Sequence, residues 1–186
     1  MKKLILLSTA FLFLGLSGTS MADPILFGGS EYQVFYEVMT WDSAKATAEA
    51  LGTGWHLVTI TSAAEQAFVA DTLLQNQNGL MWAGAFQALG QSKDVGWSWV
   101  TGEAWNYTAW ATDYATEPND WGGDEIYLAL DGRWQRNWTW NDGLTTSGVL
   151  GFVAERTAPV PEPISMVLFG TGLVGVGGYV RRKLKK

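Results

Sequence analysis

The pattern of apolar and polar residues predicts a strand, a helix and a second strand in the first third of the chain. Residues 32–38 alternate and are rich in aromatic and β-branched side chains, as strands are. Residues 40–52 show helical spacing, with Thr40 placed to cap the first turn and Gly52 placed to end the last one. The short apolar run at 56–60 predicts a buried strand.

A second helix, four more strands and one long loop follow. Residues 62–75 have an apolar face, and Ser62 with Glu65 three positions later forms a capping-box pattern. Short segments rich in aliphatic and aromatic residues predict strands at 80–86, 96–100, 125–130 and 149–155. Residues 101–124 lose all periodicity but keep several tryptophans, which predicts an ordered, functional loop. The whole pattern predicts an α+β fold with two early helices and a small antiparallel sheet.

The N-terminal end has the composition of a targeting segment. Residues 1–22 open with Lys2 and Lys3, continue with an apolar run and end in small residues around Met21. This is the pattern of a secretory signal peptide. We therefore expect export across the inner membrane and removal of residues 1–22.

The C-terminal end combines three features in order. A proline-rich stretch contains Pro161, Glu162 and Pro163, an uncharged apolar segment spans 164–180, and 181–186 form a basic tail. An apolar segment of this length is just sufficient for a transmembrane helix, and the basic tail would stay on the cytoplasmic side. The arrangement resembles the PEP-CTERM sorting signal of Gram-negative bacteria, whose anchor an exosortase removes. The resemblance implies that residues 159–186 hold domain 23–158 in the inner membrane until it is released to the cell surface or the exterior. A plain C-terminal anchor is the alternative.

Charge narrows the classes of partner. Seven of the twelve basic residues lie in the two tails, so residues 23–163 carry 18 acidic and 5 basic side chains, a formal net charge of −13. A domain this acidic has no electrostatic attraction for nucleic acid or anionic lipid. The chain has no cysteine, so its stability depends on the core, where we expect most of its eleven tryptophans.

Four carboxylates fall within the ten residues Thr-Glu-Pro-Asn-Asp-Trp-Gly-Gly-Asp-Glu at 116–125. They repel one another unless a positive group lies between them. A cis bond before Pro118 would let the side chains on either side of this proline face one point. With no cysteine and one histidine in the chain, an all-oxygen site on a flexible loop favours calcium over zinc or copper. The oxygen-bearing side chains of such a site are Glu117, Asn119, Glu125, Asn141 and Asp142.

The order of the motifs resembles the C-type lectin domain. The matching segments are the two predicted helices, Trp-Ala-Gly, Trp-Val-Thr-Gly-Glu-Ala-Trp, Glu-Pro-Asn, Trp-Asn-Asp and the closing Gly-Phe-Val-Ala-Glu, which together cover about residues 31–156. The resemblance implies a C-type lectin-like fold with a long calcium-binding loop region. It would lack disulfides, since other residues occupy the family's cysteine positions.

In that family the matching residues bind one calcium ion, which accepts two neighbouring sugar hydroxyls. The resemblance thus implies calcium ligands at Glu117, Asn119, Glu125, Asn141 and Asp142, and sugar contacts from the first four and from Trp121. The Glu-Pro-Asn form implies a mannose- or glucose-type glycan. Because extra residues precede Trp-Asn-Asp, Asn137 is an alternative ligand to Asn141. Trp121 either stacks on the sugar or is wedged under the loop.

The function expected from this resemblance is an exported, calcium-dependent carbohydrate-binding module of the cell surface or exopolysaccharide matrix. A second hypothesis is a lectin-like scaffold for protein binding or matrix structure, in which calcium only fixes the loop. Glu117 and Glu125 could be posed like the two acids of a glycosidase. The sequence offers no paired nucleophile and base, however, so we do not expect an enzyme.

Overall fold

The computed structural model describes residues 23–146 and 148–159. The expected signal peptide (1–22), the sorting motif at Pro161, Glu162 and Pro163, the apolar segment 164–180 and the basic tail 181–186 lie outside the described residues. Within the part that the structure describes, no helix is long and apolar enough to cross a membrane.

Eight strands, two α-helices and one short 3-10 helix (Arg133–Gln135) are present among the described residues. The helices are α1 (Trp41–Ala50) and α2 (Ala63–Phe68), and α2 continues into a π-helical turn at Val69–Leu73. The strands are β1 (Ile25–Phe27), β2 (Ser30–Phe35), β3 (His56–Leu57), β4 (Leu80–Gln87), β5 (Trp97–Trp99), β6 (Tyr127–Asp131), β7 (Thr139–Gly143) and β8 (Gly151–Thr157). The α+β class expected from the sequence is confirmed.

The strands form one sheet in the order β1-β2-β8-β4-β6-β7, with β3 paired to β8 and β5 paired to β4. All pairs are antiparallel except β4 with β8, which run parallel at Met81–Trp82 and Gly151–Phe152. The sheet is therefore mixed rather than purely antiparallel as predicted. The close approach of β2 to β8 requires a glycine, because a Cβ at Gly151 would lie 1.8 Å from the carbonyl oxygen of Phe35.

The two helix starts follow the sequence signals, with one difference. The Thr40 side chain accepts a hydrogen bond from the Ser43 backbone N–H at 3.2 Å, and the Ser62 hydroxyl accepts one from the Glu65 N–H at 3.2 Å. Glu65 does not complete a reciprocal capping box. Its carboxylate instead accepts bonds from the Thr61 N–H and the Tyr32 hydroxyl, both at 2.8 Å, so this acid ties α2 to the sheet.

The core lies on both faces of the sheet. One cluster packs α1 against the sheet around Trp41, Trp82 and Phe152, and the other packs α2 and the long loop around Trp99 and Trp140. Seven of the eleven tryptophans are buried, as the sequence predicts for most of them. Trp140 is fully buried, and its indole N–H donates to the Gln66 side chain at 2.8 Å.

The segment 101–124 is an ordered loop held against β7, and it contains no helix or strand. Trp110 forms an isolated bridge with Trp140, with the backbone N–H of Ala111 donating to the Trp140 carbonyl at 2.9 Å. The N–H of Glu117 then donates to the Ala111 carbonyl at 2.8 Å. These bonds place Glu117 beside β7.

Candidate functional site

The predicted Glu-Pro-Asn turn brings two candidate side chains into direct contact. The peptide bond between Glu117 and Pro118 is cis. The side-chain amide of Asn119 donates to Oε2 of Glu117. Its carbonyl oxygen accepts from the Trp121 backbone N–H at 2.7 Å, so the Asn119 side chain is fixed from both ends.

Strand β7 supplies the acid that holds this turn. Oδ1 of Asp142 accepts from the Asn119 backbone N–H at 3.0 Å, and Oδ2 accepts from the Asp120 N–H at 2.7 Å. The neighbouring Asn141 donates its side-chain amide to the Asp142 carbonyl. Since β7 pairs with β6 over its whole length, the buried Asp142 carboxylate is anchored in the sheet.

Glu125 closes the turn from its far side. Its Oε2 accepts from the Trp121 backbone N–H at 2.7 Å, and its own N–H donates to Oδ1 of Asp120 at 3.1 Å. The structure therefore brings all five predicted ligand residues together at one end of the loop. Asn137 is exposed and lines a different groove, whereas Asn141 lines the groove that contains Glu117 and Glu125.

Two carboxylates of this cluster, those of Glu117 and Glu125, have raised pKa values. Burial, followed by the negative charge of Asp142, raises the pKa of Glu117 to about 7. Burial and the same charge raise the pKa of Glu125 to about 7, with further contributions from Glu117 and Asp120. A cation placed among these side chains would lower the pKa of both glutamates, because it favours the ionised form of each carboxylate.

A buried guanidinium, which the sequence did not indicate, lies behind the site. Arg136 is 4% exposed; its Nη1 is 2.8 Å from Oδ2 of Asp131 and 3.4 Å from Oε1 of Glu117. Arg133 binds Asp131 through two side-chain bonds of 2.9 Å. Burial alone would raise the pKa of Asp131, but the bonds from the two arginines outweigh it and lower the pKa below its usual value.

The site opens into a groove of about 610 Å³, within the range of small-ligand sites. Three large aromatic side chains on its walls face solvent: Tyr114 is 79% exposed, Trp121 78% and Trp134 56%. Trp121 is therefore not wedged under the loop, which leaves the stacking arrangement that the sequence also allowed.

The donor set fits a hard cation whose ligands include amide and carbonyl oxygens. Among the described residues, no three Asp, Glu or His side chains converge closely enough to hold a metal by themselves. The amides of Asn119 and Asn141, however, each lie directly against a site oxygen, that of Glu117 and of Asp142 respectively. Turning the Asn141 amide by half a turn would place its oxygen against the Asp142 carbonyl oxygen, an arrangement that a cation between them would stabilise. For Asn119 the same turn would also break the bond from the Trp121 N–H, so cation binding there requires that bond to be exchanged. Calcium accepts such mixed oxygen sets, whereas zinc prefers nitrogen and sulfur.

Sequence comparison relates the chain to C-type lectins. Over 136 residues it is 31% identical to the C-type lectin lectoxin-Lio1 of Erythrolamprus poecilogyrus, which covers 70% of this chain and 80% of that protein. It is 33% identical over 88 residues to lithostathine of Bos taurus, covering 45% of this chain. The chain spans half of the length of lithostathine.

Solved structures show the same fold. The C-type lectin CEL-I of Cucumaria echinata matches with a TM-score of 0.61 and 24% identity, over 74% of this chain and 96% of that one. The cow CD23 carbohydrate-recognition domain was solved in the presence of a GlcNAc2Man3 oligosaccharide. It matches with a TM-score of 0.61 and 25% identity, over 74% of this chain and 95% of that one. A calcium-independent type II antifreeze protein matches with a TM-score of 0.60 and 24% identity, over 74% of this chain and 94% of that one.

The C-terminal end matches a separate family model. Residues 159–183 fit the PEP-CTERM protein-sorting motif, which confirms the resemblance noted in the sequence. The relatives of the folded domain are lectin-type binding proteins and not enzymes. The chain therefore belongs to the C-type lectin domain family and carries a PEP-CTERM sorting motif at its C-terminal end.

Proposed function

We propose that residues 23–158 form a calcium-dependent carbohydrate-binding module that acts at the cell surface or in the exopolysaccharide matrix. The observation that supports this most directly is the convergence of three acids and two amides, four of which line one open groove. The proposed calcium ligands are Glu117, Asn119, Glu125, Asn141 and Asp142.

Each side chain has a separate part in sugar binding. When bound, calcium would supply coordination positions for two neighbouring sugar hydroxyls. The carboxylates of Glu117 and Glu125 accept hydrogen bonds from those hydroxyls, and the amides of Asn119 and Asn141 can donate them. The exposed ring of Trp121 offers an apolar face against which the carbon side of a sugar can pack. The Glu-Pro-Asn turn suggests a mannose- or glucose-type glycan.

The sorting motif supports export and surface sorting with exosortase as the processing partner. In this proposal residues 1–22 direct export, 164–180 hold the chain in the inner membrane for a time, and exosortase acts at Pro161, Glu162 and Pro163. The binding domain then meets glycans outside the cell.

One observation favours a second function, a lectin-like scaffold for protein binding or matrix structure. Arg136 already gives Glu117 a positive partner without any metal. A neighbour of the same fold is described as calcium-independent. In this alternative calcium only fixes the loop, and the groove does not bind sugar.

A calcium titration of the full chain in mild detergent tests the proposal, with calorimetry and thermal melting as the two readouts. Mannose, glucose and galactose are then added with and without calcium. A rise in Tm with calcium, followed by mannose or glucose binding only in its presence, is the expected result. Calcium binding without binding of any of these sugars would favour the scaffold, and no calcium binding at all would overturn the proposed site.

A pair of variants in the same turn locates the ion. Glu125→Gln removes a half-buried carboxylate at the site and should weaken calcium binding at least tenfold, by the loss of a charged ligand. Asp124→Asn is the matched control, since Asp124 is exposed and has a positive φ of 65° that asparagine tolerates well. Equal calcium affinity in the two variants would contradict the ligand assignment.

A further inference from the structure

Two exposed aromatic side chains extend the groove beyond the carboxylate cluster. The rings of Tyr114 and Trp134 lie 6.0 Å apart between centroids, and both line the groove that holds Glu117 and Asn141. We call this pair the aromatic platform. Tyr114 comes from the long loop, and Trp134 comes from the extra residues before Trp-Asn-Asp. The platform is thus formed by two segments that meet at one wall.

The backbone holds Trp134 at the surface at a conformational cost. Trp134 has φ 51° and ψ 31°, and Gln135, Asn137 and Trp138 also have positive φ. A bulky residue in the left-handed region is unusual and costs about 1–3 kcal/mol, which persists where the surroundings impose it, often at functional sites. The segment therefore presents a large ring to solvent in a conformation that glycine or asparagine would adopt more easily.

Two guanidiniums pack against the Trp134 ring. The guanidinium carbon of Arg133 lies 4.6 Å from the ring centroid and that of the buried Arg136 lies 5.3 Å away. Both arginines are fixed by the fully buried Asp131. A ring held in this way loses little freedom when a ligand packs on it, which favours binding.

We propose that the aromatic platform is a second sugar subsite, which binds another unit of the glycan whose first unit occupies the carboxylate site. This inference rests on the proposed function. An exposed aromatic ring packs against the apolar face of a sugar ring without needing a particular pattern of hydroxyls. Because both sites share one groove, the ligand is an oligosaccharide or an internal stretch of polysaccharide rather than a free monosaccharide.

The charge of the domain selects among polysaccharides. Residues 23–163 have a formal net charge of −13, and the guanidiniums beside the platform are already paired with Asp131. A polymer rich in uronic acids would be repelled by this net charge. The ligand class is therefore a neutral polysaccharide.

The test compares mannose and glucose with linear mannotetraose and cellotetraose, using the full chain in mild detergent with saturating calcium. We expect at least one tetrasaccharide to bind about tenfold more tightly than its monosaccharide, the gain that one good aromatic contact provides. Trp134→Asn should remove this gain and leave monosaccharide affinity unchanged. Its Tm should hold or rise, because asparagine suits the left-handed backbone.

Tyr36→Ala is the matched control, since Tyr36 is also 56% exposed but lies outside the groove. It should leave tetrasaccharide affinity unchanged. Equal affinity of the unaltered chain for each monosaccharide and its tetrasaccharide would overturn the second subsite while leaving the proposed function in place. An equal loss of both ligands in Trp134→Asn would also overturn it. If none of the four sugars bound, both proposals would fail together.

Discussion

Replacing Arg136 with methionine should destabilise the domain. The buried guanidinium of Arg136 lies 2.8 Å from the fully buried carboxylate of Asp131. Removing one partner of a buried ion pair costs about 3–5 kcal/mol, because the other charge is left without compensation. Asp131 keeps its two bonds from Arg133, so we expect the lower end of that range, about 3 kcal/mol. In a domain of this size the loss corresponds to a fall in Tm of about 9–12 °C.

The same substitution should tighten calcium binding. Nη1 of Arg136 lies 3.4 Å from Oε1 of Glu117, so the guanidinium competes with any other cation for that carboxylate. A full charge about 4 Å away is worth at most about 4 kcal/mol at an effective dielectric constant of 20, and solvent at the open groove reduces this. We expect calcium affinity to rise about tenfold. A variant that is less stable but binds calcium better would separate the two roles of this arginine.

Urea unfolding followed by tryptophan fluorescence measures the first effect. Calorimetric titration at pH 9 measures the second, because the loss of Arg136 raises the pKa of Glu117 further and a proton would compete with calcium at lower pH. Arg133→Met is the control. Its side chain pairs with the same Asp131 but is 34% exposed, so the expected loss is about 1 kcal/mol with a much smaller change in calcium affinity. A loss below 1 kcal/mol in Arg136→Met, or weaker calcium binding, would refute the reasoning.

Three further outcomes follow from the core and the carboxylate cluster. Folding raises the pKa of Glu117 and of Glu125 from an ordinary value of 4.5 to about 7. Between these two pKa values the folded calcium-free domain keeps protons on both carboxylates that the unfolded chain releases. Its free energy of unfolding in urea should fall as pH rises from 5 to 8, and a flat profile would contradict this. Gly151→Ala should cost about 3 kcal/mol by clashing with a β2 carbonyl, whereas Gly148→Ala meets no atom within 4 Å and should leave thermal melting unchanged. Trp140→Ala should cost about 3–5 kcal/mol in the same assay, and a loss below 1 kcal/mol would show that the core is less tightly packed than described.

The two helices and the central strands could be predicted because their signals are local. Thr40 caps α1 through its own side chain, and the apolar run that became β4 needs no distant partner to be recognised. Strand β7 was missed for a physical reason. The Asp142 carboxylate accepts hydrogen bonds from the loop, and the adjacent polar residues Asn141 and Asp142 break the alternation by which strands are recognised.

The candidate site shows what local patterns cannot supply. The sequence grouped the five oxygen-bearing residues by their chemistry and by a family resemblance, but it could not choose between Asn141 and Asn137. That choice depends on the pairing of β6 with β7, which sets Asn141 opposite Ala129. Arg136 was missed because nothing in its neighbourhood indicates that a guanidinium is buried there.

Composition likewise predicted the number of core tryptophans better than their identity. Most of the eleven are buried, but Trp121 and Trp134 are largely exposed. Trp134 is itself in a left-handed turn, and Asp120, just before Trp121, is too. Such turns depend on contacts made elsewhere in the fold, so a sequence rich in tryptophan does not reveal which rings face solvent.

The order of the strands also separates the candidate site from the strand that leads to the sorting motif. Strand β8, which leads into the sorting motif, lies three positions across the sheet from β7, which carries Asn141 and Asp142. At about 4.8 Å per strand, roughly 14 Å separate the two. The proposed ligand residues of β7 therefore lie on a different strand from the one that leads to the sorting motif. Cleavage at the sorting motif thus removes residues beyond β8 and leaves the pairing of β6 with β7, which positions Asn141 and Asp142, unchanged.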